Sequence, residues 1–130
     1  MNLIHAQVTY HSGGLDICIA RPEGQPDLIL HDALPPATLL KSVNRHVLFG
    51  IRPEAITDRV PDGDRNELRT CLLNVVEPTG SDTYAVIKVS QGEAIARLHG
   101  QSEVVAGQSV DLAFDMSRVS YFDPESEVRL

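Results

Sequence analysis

Apolar residues recur at every second position along most of this chain, the period of a strand with one buried face. Ile4, Ala6, Val8 and Tyr10 alternate with Leu3, His5, Gln7 and Thr9. After the turn signal His11-Ser12-Gly13-Gly14, Leu15, Ile17 and Ile19 alternate with Asp16 and Cys18, so residues 4–20 predict a hairpin. Arg21-Pro22-Glu23-Gly24-Gln25-Pro26 is a break, and a short strand follows at 28–30. Pro35-Pro36 removes two consecutive amide donors, which makes 32–41 a loop. The apolar run His46-Val47-Leu48-Phe49-Gly50-Ile51 predicts a strand that stops at Arg52-Pro53-Glu54.

Residues 58–66 are polar and rich in breakers, the clearest surface excursion in the chain. From 67 to 77 no Gly or Pro interrupts, and one long strand is predicted there. Pro78-Thr79-Gly80-Ser81-Asp82 then turns the chain into strands at 84–89 and 94–98, which meet at Gln91-Gly92. Val110, Leu112, Phe114 and Met116 share one face of a last regular strand, with Asp111 and Asp115 on the other. Only 36–43 and 116–121 suit a short helical turn.

Seven to nine short strands separated by turns argue for an all-β fold, a small barrel or a pair of barrels, with a sandwich or roll as alternatives. A chain of 130 residues fits one compact domain, or two intertwined sub-lobes with a shared core and a seam near 57–66.

The formal charge of −7 and the absence of a basic run disfavour nucleic acid and anionic membrane surfaces as partners. Sparse aromatics, with no Trp, also leave few platforms for base stacking. The apolar runs are too short to span a bilayer as helices, so a membrane is reached through a partner. Cys18 and Cys71 lack CxxC spacing and read as small thiols within strands.

Motifs of catalysis are missing. There is no GxxxxGK[ST] to cradle a phosphate, no GxGxxG and no GxSxG elbow, so no catalytic or cofactor-binding residue is assigned. The five histidines show no HxH or HExxH spacing, and no metal site is read from them; His5 and His11 would meet only through strand register. His31-Asp32 resembles part of a catalytic pair but lacks a nucleophile. Asp58, Asp62, Asp64 and Glu67 faintly echo a calcium loop without the flanking helices one needs. A two-carboxylate hydrolase using Asp32 and Glu77 is conceivable on residue type alone, and no motif supports it.

Two features ask for more than composition. Gly50-Ile51-Arg52-Pro53-Glu54 ends a strand in an Arg beside a rigid Pro, with Glu54 as a nearby counter-charge. Val76-Glu77-Pro78-Thr79-Gly80-Ser81-Asp82 ends a strand in a carboxylate and a glycine turn. Residues at such strand ends serve structure or meet a partner. The candidate contacts are therefore Arg52, Glu54, Glu77, Gly80 and Ser81.

With Val47-Leu48-Phe49 ahead of the first feature, Gly107-Gln108-Ser109-Val110 and Tyr121-Phe122-Asp123, this order resembles the C-terminal region of carbohydrate-type ABC importer ATPases. The likeness is to the maltose and glycerol-3-phosphate transporter ATPases. It departs from that pattern at Ala55, Pro78 and Ser126-Glu127. The resemblance implies an OB-fold-like, TOBE-type tandem β-barrel with a regulatory and dimerisation role. It implies a second copy of the ATPase subunit, permease subunits and, in some relatives, a regulatory protein as partners. It also implies a cytoplasmic location at the inner face of the cell membrane. ATP and Mg²⁺ would belong to a nucleotide-binding domain upstream of Met1, absent from this sequence. Since related TOBE domains capture oxyanions, Arg52, Ser81 and Thr83 are alternative anion contacts.

Overall fold

The computed structural model describes every residue except 61, 62, 64 and 101. The described residues form strands β1 (Asn2–His11), β2 (Gly14–Ile19), β3 (Leu28–Asp32), β4 (His46–Ile51), β5 (Ile56–Thr57) and β6 (Asn66–Leu72). They continue with β7 (Val75–Pro78), β8 (Asp82–Val89), β9 (Gly92–His99), β10 (Ser109–Asp115) and β11 (Val119–Phe122). Among the described residues, helix is confined to 3-10 turns at Ala37–Ser42, Pro53–Ala55 and Met116–Arg118. This is the all-β architecture that the period-2 pattern predicts, and it is consistent with the OB-fold-like class that the family resemblance implies.

The strands make three antiparallel sheets, ordered β11-β4-β1-β2-β3, β5-β10-β6 and β7-β8-β9. One contiguous cluster of buried side chains serves all three, with Val8, Ile17, Leu30 and Phe49 from the first, Ile56, Leu112 and Phe114 from the second, and Ala85 and Leu98 from the third. Each fully buried Leu, Ile or Phe contributes about 1.5–3 kcal/mol relative to exposure.

The hairpin predicted at 4–20 pairs His11 with Gly14 across a two-residue turn. Ser12 and Gly13 both take positive φ, 40° and 83°, which gives the turn the twist of its flanking strands.

The long strand predicted at 67–77 is broken. At its middle the backbone changes partner: the Leu73 N–H donates to the Gln108 carbonyl at 2.9 Å, while the Asn74 N–H donates to Val86 at 2.8 Å. The chain therefore leaves the second sheet and enters the third between two successive residues. A sequence free of breakers gives no sign of such a handover. The segment expected as a helical turn at 116–121 also differs, because only Met116–Arg118 turns and Val119–Phe122 pairs with β4.

Further ties join the sheets. The Asn2 side-chain amide donates to the Ile95 carbonyl and accepts from the Ile95 N–H, both at 2.9 Å. It stands in for a strand along the free edge of β9, with both ends of the buried amide hydrogen-bonded.

Candidate functional site

The corner at Gly50–Glu54 is shaped by close packing. Gly50 lies on the outer face of β4, opposite Leu3 and Ser120. A Cβ there would stand 2.8 Å from Met1 Sδ and 2.8 Å from the Phe122 ring, so glycine admits the side chains that cover the strand. Pro53 then starts a 3-10 turn with its φ already set, and the Ala55 N–H donates to the Arg52 carbonyl at 2.9 Å. Ala55 and Ile56 point into the core, while Arg52 is left exposed and Glu54 half-buried. The expected Arg52–Glu54 counter-charge is not made. Among the described residues neither side chain has a hydrogen bond or ion pair.

Glu77 sits on β7, an edge strand, paired with Tyr84. The following turn is held by Thr79, whose N–H and Oγ1 both donate to the Asp82 carbonyl, at 2.8 and 2.9 Å. Gly80 takes φ 95°, a conformation costly for other residues. Gly100 lies against this turn so closely that a Cβ would collide with the Ser81 carbonyl. Glu77 and Ser81 are exposed and, among the described residues, lack side-chain partners. Thr83 is buried, so its hydroxyl does not join Arg52 and Ser81 at a surface. No hydrogen bond or ion pair among the described residues links the Arg52 corner to the Glu77 turn.

Three polar clusters escape residue spacing. Asp32, 1% exposed, accepts from Tyr121 Oη at 2.6 Å, Arg65 Nη2 at 2.7 Å and the Leu34 N–H at 3.0 Å. Burial, then the hydrogen bond to Asp32, pushes the Tyr121 phenol far above its usual range. Asp32 thus anchors strands and is no hydrolytic partner for Glu77, which lies exposed on another sheet. The alternation Leu28, Leu30, Asp32 already places this carboxylate on the core face, the one sequence signal of its burial.

Asp58, His99 and Ser102 meet where β5 and β9 end. His99 Nδ1 lies 2.8 Å from Asp58 Oδ2 and 2.9 Å from Ser102 Oγ, and Ser102 Oγ also donates to Asp58. One imidazole nitrogen faces both partners, whereas a hydrolytic triad uses opposite nitrogens for serine and carboxylate. Burial raises the Asp58 carboxyl, but hydrogen bonds from Ser102 and His99 outweigh it and hold the group below its usual value. Of the calcium-loop residues, Asp62 and Asp64 lie outside the described residues, and Glu67 accepts from the His31 N–H and from Arg69.

The third cluster corrects the pairing of His31. Its ring bonds Asp16 across β2 and β3 at 2.9 Å rather than the adjacent Asp32, and His11 joins the same carboxylate at 3.0 Å. A strand sends neighbours to opposite faces, so sequence adjacency separates His31 from Asp32.

At the other end of the chain, Asp123 accepts from the N–H groups of Glu125 and Ser126, both at 2.9 Å, which lowers its carboxyl. Cys18 and Cys71 are free, and burial pushes the Cys71 thiol up to about 11.

Residues 49–122, which hold the end of β4, the Arg52 corner, the Glu77 turn and β11, match the TOBE domain family, and they are more than half of the 130-residue chain. The chain belongs to the TOBE domain family. Similar proteins are ATP-binding subunits for carbohydrate import. The oligosaccharides import ATP-binding protein MsmX of Bacillus subtilis is 33% identical over 90 residues, 68% of this chain and 25% of that protein. The trehalose/maltose import ATP-binding protein MalK of Thermococcus litoralis is 33% identical over 87 residues, 62% of this chain and 23% of that protein. The trehalose import ATP-binding protein SugC of Mycobacterium tuberculosis is 32% identical over 111 residues, 65% and 28% respectively. The chain thus spans about a quarter of the length of these relatives. Among solved structures, the molybdate-binding protein ModG shares the fold with a TM-score of 0.61 at 13% identity, over 95% of this chain and 96% of that one. No helix among the described residues is long and apolar enough to cross a membrane.

Proposed function

We propose that this chain is the regulatory and dimerisation module of the ATP-binding subunit of an ABC importer for a sugar or sugar-phosphate-like solute. The observation that carries this reading is the TOBE match at 49–122 within a region shared with sugar-import ATP-binding proteins. The surface supports it: Arg52, Glu77 and Ser81 stand exposed at strand ends with no side-chain partner among the described residues. A strand end fixed by a common core presents such groups in one geometry, which lowers the entropy cost of docking. ATP and Mg²⁺ belong, in this reading, to a nucleotide-binding domain elsewhere in a longer polypeptide. The subunit works at the cytoplasmic face with a second copy of itself, permease subunits and, where present, a regulatory protein.

Sedimentation of the full-length subunit, with and without this module and with Arg52→Glu or Glu77→Lys, tests the dimer role. The expected result is weaker self-association for the truncated form and for at least one charge reversal. Unchanged association in all of them overturns the role.

A second reading, oxyanion binding, is supported by the fold shared with a molybdate-binding protein and by the exposed Arg52. Calorimetric titration with molybdate, sulfate and a sugar phosphate decides it, and no heat across that panel ends it.

A further inference from the structure

We infer that the outer face of the five-stranded sheet holds a binding site for a divalent transition-metal ion, formed by His11, Asp16 and His31. Strand alternation turns all three residues to one face, and register brings them together. Asp16 is the direct cross-strand partner of His31, and its partner on β1 is Thr9, two residues from His11 on the same face. Three adjacent strands therefore each supply one donor.

The geometry is close to that of a coordination shell. The donor atoms of the three residues all lie within 4.8 Å of one another. Asp16 Oδ2 is 3.0 Å from His11 Nδ1, and Asp16 Oδ1 is 2.9 Å from His31 Nδ1. The two rings stand edge to face, with centroids 5.5 Å apart and planes at 77°, so both Nδ1 atoms converge on one carboxylate. Around a tetrahedral ion with bonds of about 2.0–2.1 Å, neighbouring donors stand roughly 3.3 Å apart. The two His–Asp contacts, one to each oxygen of the Asp16 carboxylate, are each within about 0.3–0.4 Å of that spacing, so an ion between the three groups asks for only a small adjustment of the side chains.

Local packing favours the same arrangement. A Cβ on Gly14 would collide with the Asp32 carbonyl and lie 3.0 Å from Cε1 and Nε2 of His31, so glycine at the start of β2 lets β3 and its imidazole approach closely. The His31 N–H is tied to Glu67 Oε1 at 2.9 Å, which steadies the strand that carries it. The site is open to solvent: the side chain of His11 is 63% exposed, that of His31 31% and that of Asp16 18%.

Two imidazoles and one carboxylate select Zn²⁺, Co²⁺, Ni²⁺ or Cu²⁺ over Ca²⁺ and Mg²⁺, which prefer shells of oxygen alone. Three protein donors leave at least one position for water or an added ligand. Such an ion would clip the tip of the β1–β2 hairpin to β3.

The test uses the untagged full chain with Zn²⁺ or Co²⁺ alone. Calorimetry is expected to give one equivalent of Zn²⁺, and Co²⁺ a visible absorption band from imidazole and carboxylate ligation. His11→Gln, Asp16→Asn and His31→Gln should each weaken Zn²⁺ binding at least tenfold, in line with loss of one donor of three. His5→Gln with His46→Gln, on the same face but outside the cluster, should leave it unchanged. Zn²⁺ at 100 times its dissociation constant should raise the melting temperature by about 8–11 °C in the native chain and much less in His11→Gln. No binding at millimolar Zn²⁺ overturns the site. So does binding that survives all three cluster substitutions or that is lost with His5 and His46. His11 is the most exposed of the three, so its variant reads ligation with the least disturbance of the fold.

Discussion

Replacing Tyr121 by Phe removes one oxygen and nothing else from the core. Tyr121 is 1% exposed, and its hydroxyl is the sole described donor to Asp32 Oδ2, at 2.6 Å; Arg65 and the Leu34 N–H both serve Oδ1. In Tyr121→Phe, Oδ2 of a carboxylate itself 1% exposed loses that donor, and water has little access to replace it. A hydrogen bond to a charged group is worth about 1.5–3 kcal/mol, so the loss should be about 2–3 kcal/mol. For a chain of 130 residues this is on the order of 6–12 °C in melting temperature. Urea unfolding followed by circular dichroism measures it, with an unchanged slope against denaturant marking a true stability change. The pH dependence supplies a second readout. The folded phenol holds its proton above the usual value of 10.0, so the unfolded chain releases it first as pH rises. The stabilisation is therefore complete below pH 10 and is lost progressively above it, and the Tyr121→Phe variant should lack that alkaline decline. A variant within about 0.5 kcal/mol of the native chain, or one with the same alkaline slope, would refute the argument.

Asp58→Asn should cost about 1–3 kcal/mol at neutral pH, because it weakens the bonds from His99 and Ser102. Since the folded carboxyl lies below its usual 3.8, that difference should be present above pH 4 and vanish as pH falls through the lower folded value, as urea midpoints at pH 7, 4 and 2.5 would report. Gly100→Ala should destabilise by about 1–3 kcal/mol through collision with the Ser81 carbonyl, and equal stability to the native chain in urea would count against that contact. At pH 8, Ellman's reagent should titrate Cys18 in the native protein and reach Cys71 only in denaturant; two rapid thiols in the native state would contradict its burial and raised thiol.

The strands were legible because alternation is a local property. Ile4, Ala6 and Val8 point inward with no reference to the rest of the chain, and β4 ends where Arg52-Pro53 says it must. The ordered motifs Gly50–Glu54 and Glu77–Ser81 pointed to the family. What their side chains touch was less legible. Arg52 and Glu54 look like a pair in sequence, yet at the 3-10 corner neither side chain makes an ion pair among the described residues.

Period, breakers and turn residues thus set the all-β class and the faces of each strand, since these depend on backbone geometry over a few residues. The change of sheet at Leu73 and Asn74 depends on partners more than ten residues away, so no local pattern encodes it. The same holds for Asp32 with Tyr121, and for His11 and His31 on Asp16. Neighbours across strands are chosen by register and sheet order, and these exist only once long-range pairing is complete.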